Sequence, residues 1–268
     1  MDETTSVRDL AIRLALEAGA IQRDRYETDF QIESKSAKID LVTEVDRQCE
    51  ELIVSAIGKE RPDDAILAEE GGGTDTPGAE WRWVIDPLDG TTNFAHGFPR
   101  FCVSIGVERN RERQVGVVYD PLLDELYHAV RGGGAWLGER ALRVSDEKRL
   151  DHALAATGFA YDIHRSEEDN LANFARMIKA ARAVRRDGSA ALDLCYVAAG
   201  RFDAFWEFKL HPWDVAAGIL IVDEAGGRST NVAGEPPPSS GQEVVCTNGH
   251  LHEQVLALLK SLNPHADA

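Results

Sequence analysis

The chain is predicted to fold as a layered α/β protein, and three observations carry that reading. Stretches with helical apolar spacing alternate with short apolar runs of strand length; a central block of alternating segments reads as an antiparallel meander; and no long linker, repeat or low-complexity block interrupts the 268 residues. With 43% hydrophobic and 28% charged residues, the composition is that of an ordinary globular protein long enough to bury a sizeable core.

The first helix is expected from about Thr5 to Tyr26, with Leu10, Leu14, Ala18 and Ile21 on its core stripe. A second helical pattern starts near Asp46 and continues through Cys49, Leu52, Ile53, Ala56 and Ile57. The runs Ala65 to Ala68 and Trp83 to Ile85 suit short buried strands. Phe101 to Val107, Gln114 to Tyr119 and Glu125 to Val130 form the meander, with Asp120-Pro121 as a turn. Beyond about Ser145, helices near Glu167 to Ala181, Ala190 to Ala199 and Pro212 to Ala225 alternate with strands near Ala153 to Thr157, Ala204 to Glu207 and Glu243 to Cys246. Gly71 to Gly78 and Glu235 to Gly241 are rich in Gly and Pro and read as mobile surface connections. Trp81, Trp83, Trp136, Trp206 and Trp213 are most simply core or edge aromatics.

The formal net charge of −17 argues against a general nucleic-acid binder. Cys49, Cys102, Cys195 and Cys246 lie far apart without a Cys-x-x-Cys pair, and read as reduced core residues. The polar, acidic start Met1-Asp2-Glu3-Thr4-Thr5 is no secretory leader, and no segment is long and apolar enough to cross a membrane, so a cytoplasmic address is expected.

The functional signal is a set of carboxylates placed where elements begin or end. Residues 83–94 read WVIDPLDGTTNF: Asp86 leaves the end of an apolar strand, Pro87 stiffens a turn, and Asp89 closes it. Gly90, Thr91 and Thr92 would then open a helix whose unpaired N–H groups favour an anion. Asp-Pro-Xaa-Asp-Gly is also ordinary turn chemistry with Asp89 as a helix cap, so the segment alone decides nothing. Its partners do. Glu69 and Glu70 sit at another strand end; Asp46 stands in the first turns of the second helical pattern; and Asp214 enters the helix that closes at Glu224-Ala225-Gly226-Gly227. Singly each suits a solvated turn or a cap. Together they could hold a hard cation beside a phosphate.

These motifs, with the run Asp40 to Asp46, occur in the order and approximate spacing of the inositol monophosphatase family, which the chain resembles from about Leu10 to its last helix. Phe94-Ala95-His96-Gly97-Phe98-Pro99, the Arg186 to Asp193 segment and Glu207 resemble the bacterial-type inositol-1-monophosphatases. The resemblance implies an αβαβα sandwich, a single unit whose metal-binding half is about 1–145 and whose completing half is about 146–268. It implies two, or three, Mg²⁺ ions held by Glu69, Asp86, the Leu88 carbonyl, Asp89 and Asp214. Asp46 and Thr91 would orient and deprotonate the attacking water with Glu70 close by, Gly90 and Thr91 N–H groups would grip phosphate, and Asp89, Gly188, Ser189, Ala190 and Glu207 would read the organic part. Lys35 matches a basic position on the family's early loop, with Lys38 as a competing candidate. A small phosphate monoester as substrate, sensitivity to lithium and a homodimer are likewise implied, with no direct nucleic-acid binding.

A phosphate monoester dianion repels hydroxide, so catalysis must neutralise oxygens, make a nucleophile near neutral pH and support the leaving alkoxide; this explains the number of acids. It also makes the net charge less puzzling, since bound cations and screening over roughly 8 Å offset it locally. Related sugar or alcohol phosphatases (fructose-1,6-bisphosphatase, histidinol phosphatase, nucleotide 3′-phosphatase) and a transcription-associated binding protein that keeps the fold stay open as alternatives. Arg182, Arg185 and Arg186 could contact substrate phosphate or a second subunit, though solvated arginines at a helix end are the simpler reading. His96 and His211 could line the site without being ligands.

Overall fold

The computed structural model describes residues 2–34, 41–74 and 76–259; Lys35, Lys38 and Asp40, named above, lie outside the described residues. Helix α1 (Glu3–Arg25) starts where the Asp2 carboxylate accepts the Thr5 N–H, and it buries Leu10, Leu14 and Ala18. A short hairpin, β1 (Ile32–Ser34) with β2 (Leu41–Thr43), leads into α2 (Glu44–Glu60). Next come β3 (Ala65–Ala68), β4 (Trp81–Asp89) and, directly after one glycine, α3 (Thr91–Ala95). The strands β5 (Cys102–Arg109), β6 (Glu112–Asp120), β7 (Glu125–Val130), β8 (Ala135–Leu137) and β9 (Arg140–Ala141) then run antiparallel. With β3 parallel to β4 at one edge, they make a seven-stranded sheet in sequence order.

The rest of the chain builds a mixed five-stranded sheet of order β11-β10-β12-β14-β13 from β10 (Leu154–Thr157), α4 (Leu171–Ala180), β11 (Ala183–Arg185), α5 (Ala190–Ala198), β12 (Ala204–Phe208), α6 (Pro212–Glu224), β13 (Arg228–Thr230), β14 (Glu243–Thr247) and α7 (His252–Leu258). Helices α1 and α2 cover one face of the larger sheet; α5 and α6 lie between the two sheets; α4 and α7 pack together beyond the smaller one. The expected αβαβα layering is therefore observed. Apolar clusters fill each gap, the largest joining both sheets through α5 and α6.

Two glycines allow the central helix to lie almost on the larger sheet. A Cβ at Gly106 would stand 2.7 Å from the Ala216 Cβ, and one at Gly116 would stand 2.6 Å from the Ala217 carbonyl oxygen. The strand β5 and β6 positions facing α6 thus have no room for a methyl group. Since Asp214 lies in the first turn of α6, this close approach sets how near that residue comes to β4.

Several expected features fall elsewhere. The Asp86–Asp89 segment is not a turn after the strand: β4 runs through it, with a register shift against β5 between those residues. Pro87 has no N–H to lose from the ladder, and its carbonyl accepts Gln22 Nε2 at 2.8 Å from inside α1. Helix α4 starts at Leu171 rather than near Glu167, because Asn170 takes a left-handed conformation (φ 63°). Arg185 ends β11, a parallel edge strand, rather than standing at a helix end. The loop after Glu69 is pinned at Thr74, which bridges to Ile66, and at Gly72, whose N–H donates to Glu50 at 2.7 Å. All four cysteines are buried and free, as expected. Trp81, Trp83 and Trp206 are core residues, whereas Trp136 is partly exposed on β8. Among the described residues no helix is long and apolar enough to cross a membrane.

Because a Gly116 Cβ would meet the backbone of Ala217 in α6, Gly116→Ala must displace that helix; a loss of about 1–3 kcal/mol is expected. Chemical denaturation checks it, and a variant within about 0.5 kcal/mol of wild type would contradict the tight contact.

Candidate active site

A cleft at the carboxyl end of β4 gathers residues from both halves of the chain. It is lined by Glu69, Asp86, Leu88, Asp89, Gly90 and Thr91 on one side, and by Gly158, Phe159, Arg186, Gly188, Ser189, Ala190, Glu207, Trp213 and Asp214 on the other. His211 also lines it; His96 does not.

The acids arrive on independent supports. Glu69 follows β3, its N–H donating to the Ile85 carbonyl (3.2 Å) so that the β3–β4 pairing extends to the cleft edge. Buried Glu50 on α2 accepts the N–H groups of Glu70 and Gly72, both at 2.7 Å, and so fixes the turn that aims Glu69. Asp86 accepts the Leu88 N–H at 3.0 Å across the bulge. Asp89 accepts the Ser189 hydroxyl and the Ala191 N–H at its Oδ2, each at 2.7 Å, and thereby caps the start of α5. Asp214, in the first turn of α6, accepts the His211 N–H at 2.7 Å.

Behind these lies a buried chain of hydrogen bonds. The Thr91 hydroxyl lies 2.8 Å from Asp46 Oδ1 and 3.0 Å from the Leu88 carbonyl, either of which can accept its proton. The other oxygen of Asp46 accepts both the N–H and the hydroxyl of Thr43, which closes a capping box on α2. Asp46 is fully buried and does not itself line the cleft, so it reaches the cleft through Thr91.

Burial and mutual repulsion raise the proton affinity of Asp46, Asp86, Asp89, Asp214 and Glu207. Burial is the largest cause at Asp86, which is held well above the carboxylate range, with the charges of Glu69, Asp89 and Asp214 adding to it. Asp214 is pushed the same way by burial, against its backbone hydrogen bond from His211. At Asp89 burial wins over the Ser189 and Ala191 hydrogen bonds, leaving a pKa of about 6. Asp46 is raised by burial in spite of its Thr43 and Thr91 bonds. Glu207 is raised by burial to about 8, the Arg186 charge opposing.

Four carboxylates and the buried Leu88 carbonyl, all oxygen donors, meet in the cleft. That is the donor set a hard divalent cation prefers, and the repulsion that raises Asp86 and Asp214 is what such an ion would relieve. Among the described residues no three His, Cys, Asp or Glu side chains already converge as a ready-made cage. The acids interact through their charges across the cleft, and the residues present fit the expected ion by chemistry.

A model of the inositol monophosphatase family matches residues 3–263. The chain belongs to the inositol monophosphatase family. It is 44% identical to the inositol-1-monophosphatase of Synechocystis sp., over 92% of this chain and 86% of that one. It is also 44% identical to the Nus factor SuhB of Pseudomonas aeruginosa, over 96% of each. Among solved structures, the inositol monophosphatase from Anabaena (Nostoc) sp. superposes with a TM-score of 0.88 at 38% identity over the whole of both chains. The protein is accordingly an enzyme of the inositol-1-monophosphatase type, a hydrolase with a phosphatase fold.

Of the residues this inositol monophosphatase was expected to use, Glu69, Asp86, Leu88, Asp89, Asp214, Gly90, Thr91, Gly188, Ser189, Ala190 and Glu207 all line one cleft. Asp46 stands directly behind Thr91. Glu70 does not line the cleft; its backbone, anchored on Glu50, serves the turn. Arg186 lines the cleft, which the reading as a solvated helix-end arginine did not anticipate. Three supporting residues escaped notice. Glu50 and Gln22 act on backbone far away in sequence and carry no local signal. Asn93 donates from Nδ2 to the carbonyls of Arg100 (2.7 Å) and Asp187 (2.8 Å), tying α3 to the loop before α5; its place in the DGTTN run was the one available hint.

A carboxyl with a folded pKa of about 8 against an ordinary 4.5 keeps a proton that the unfolded chain releases, so its contribution to stability is lost as pH rises between those values. In chelator, Glu207→Gln is expected to flatten the fall of melting temperature over that window and to melt higher than wild type at its upper end. Parallel melting curves across the window would contradict a neutral, buried Glu207.

Proposed function

We propose that this enzyme hydrolyses inositol monophosphate to inositol and phosphate, using Mg²⁺ and a water activated through Thr91 and Asp46. The observation that carries the reading is one cleft that brings Thr91, backed by Asp46 at 2.8 Å, together with four carboxylates, Glu207 and the Gly188–Ala190 loop. Glu69, Asp86, the Leu88 carbonyl, Asp89 and Asp214 would hold two, or three, ions. When bound, Mg²⁺ supplies positive charge that offsets the phosphate dianion and acidifies water.

The chain's own groups do the rest. A Thr91 hydroxyl that donates to Asp46 keeps lone pairs for the hydrogen of a water in the cleft, and Asp46, with its raised proton affinity, can take the relayed proton. Gly90, left-handed at φ 96°, turns the chain so that its N–H and that of Thr91 can face phosphate oxygens. Glu207, protonated near neutral pH, can both donate to and accept from sugar hydroxyls. Ser189 and the N–H of Ala191 occupy one oxygen of Asp89, so the same carboxylate serves the metal half and positions the substrate loop.

A homodimer and lithium sensitivity follow from the family resemblance, and they and the expected cytoplasmic address belong to the same proposal. The 44% identity to a protein named Nus factor SuhB favours one second reading, a regulatory binding role carried beside the activity.

Purified protein should release phosphate from myo-inositol 1-phosphate with Mg²⁺ and stop in chelator. Release from another sugar or nucleotide phosphate but not from this ester would reject the substrate and keep the chemistry. Thr91→Ala is expected to lower kcat by about 10²-fold with little change in KM, the cost of losing a positioned proton acceptor. Asp89→Asn should abolish turnover while the protein stays folded by circular dichroism. If that variant restored a deletion phenotype as well as wild type does, the binding role would be the physiological one. Sedimentation showing a monomer at micromolar concentration would overturn the dimer.

A further inference from the structure

The wall of the cleft facing Glu207 is the connection between β10 and α4. Gly158, Phe159, Ala160, Tyr161 and Ile163 line the cleft, and Gly158 touches the Glu207 carboxyl so closely that a Cβ there would lie 2.1 Å from its Oε1. The connection is fixed at both ends by one residue: Asn170 Nδ2 donates to the Thr157 hydroxyl (3.0 Å) and the Gly158 carbonyl (2.9 Å), while Trp206 Nε1 donates to Asn170 Oδ1 (3.0 Å). Between these ends it has neither strand nor helix, only turns in which Ile163 bonds back to Ala160 and Ser166 to Asp162.

Lys209 reaches into the middle of it. From just past β12, two residues beyond Glu207, its Nζ lies 2.8 Å from Asp162 Oδ2, 2.9 Å from Ser166 Oγ and 3.8 Å from Glu168 Oε2. Its backbone is left-handed, with φ 60°, and is held there by an N–H bond to the Gln242 carbonyl at 2.6 Å. Glycine takes that conformation without strain and a long side chain does not. Ion pairs whose acidic partners are about half exposed, as Asp162 and Glu168 are, add little to stability. The strain at Lys209 is therefore not offset by stability, and it coincides with the wall of a binding site.

We propose that Lys209 is a positioning residue that sets substrate size: its ammonium holds the 158–168 connection as a rigid wall against Glu207, so that a ring-sized polyhydroxylated leaving group is clasped between the two. The proposal rests on the phosphomonoesterase reading of the same cleft. A small alcohol, too short to reach the wall, gains nothing from it.

The test compares myo-inositol 1-phosphate with glycerol 2-phosphate, both with Mg²⁺, in Lys209→Gly, Lys209→Met, Lys209→Arg and Asp162→Asn. For the inositol ester, KM is expected to rise roughly fivefold in the Gly and Met variants with kcat within about twofold of wild type; the glycerol ester should show no change beyond about twofold. Lys209→Arg should recover most of the loss. The Gly variant should melt no lower than wild type, since relief of strain offsets the lost pair, which separates positioning from a fold defect. Asp162→Asn, an exposed change, should raise KM in the same direction, and adding it to Lys209→Met should cost little more, as expected for residues in one contact. An unchanged KM for the inositol ester, an equal rise for both esters, or a loss confined to kcat would each overturn the proposal. A wild type inactive on both esters, and on every other phosphate ester tried, would instead remove the phosphatase reading and this inference with it.

Discussion

Everything in this structure answers to the difficulty of keeping like charges together out of water. Glu69, Asp86, Asp89 and Asp214 share one cleft, and burial makes an ionised carboxylate costly at Asp86, Asp89 and Asp214. The fold meets the problem by drawing the acids from different elements, none of which can retreat. Asp86 and Asp89 lie within a strand paired on both sides, and Asp214 heads a helix that two glycines let lie against the same sheet. Each of those three carboxylates, and Asp46 behind them, also accepts at least one backbone N–H, a dipole that cannot rotate away. Such a site is poorly relaxed without a countercharge, the usual trade of stability for function.

The same contacts make the two halves of the cleft one device. Asp89 leaves the larger sheet yet caps α5 of the substrate side, and Asn93, on the helix that follows, donates to the Asp187 carbonyl of the adjoining loop. The Ser104 hydroxyl on β5 reaches the Trp213 carbonyl at the start of α6 at 3.4 Å. A shift of the substrate loop would therefore pull on a carboxylate of the metal half. Under the proposed function, selectivity for the leaving group and placement of the ions would be mechanically linked, which is a reason why a substitution on one wall should be felt on the other.

How legible the molecule was in its sequence depended on how local each signal is. Asp46 was readable because Thr43-x-x-Asp46 is a capping box within one helical turn, and Asp86–Thr91 because strand, bulge, glycine and helix follow within nine residues. The long helices and the central meander fell within a few residues of their expected ends, since burial repeats there with a clear period. The short strands β8, β9, β11 and β13 were missed: two or three residues are too few for a period, and their pairing partners decide them. Arg186 was misplaced for the same reason, since its position in the cleft depends on β11 pairing parallel to β10. Glu50 and Gln22 were out of reach altogether. An acidic residue on α2 and an amide on α1 acquire their roles from backbone that folds over them from 20 and 65 positions away.

Left-handed backbone marks the cleft in three places: Gly90, where a Cβ would meet the Arg100 carbonyl at 2.7 Å; Gly188, at φ 82°; and Lys209. At the first two the residue is the one that the conformation favours: Gly90 stands where the proposed function puts the phosphate, and Gly188 shapes the loop before α5. At the third a long cation occupies a glycine-like conformation on the side that the proposed function gives to the alcohol. The chemistry of a phosphate ester is common to every substrate such an enzyme could meet, so the phosphate side gains nothing from departing from the least strained residue. The alcohol is the part that varies, and strain is tolerable there because a side chain can change which alcohol fits without disturbing how the ester is cleaved.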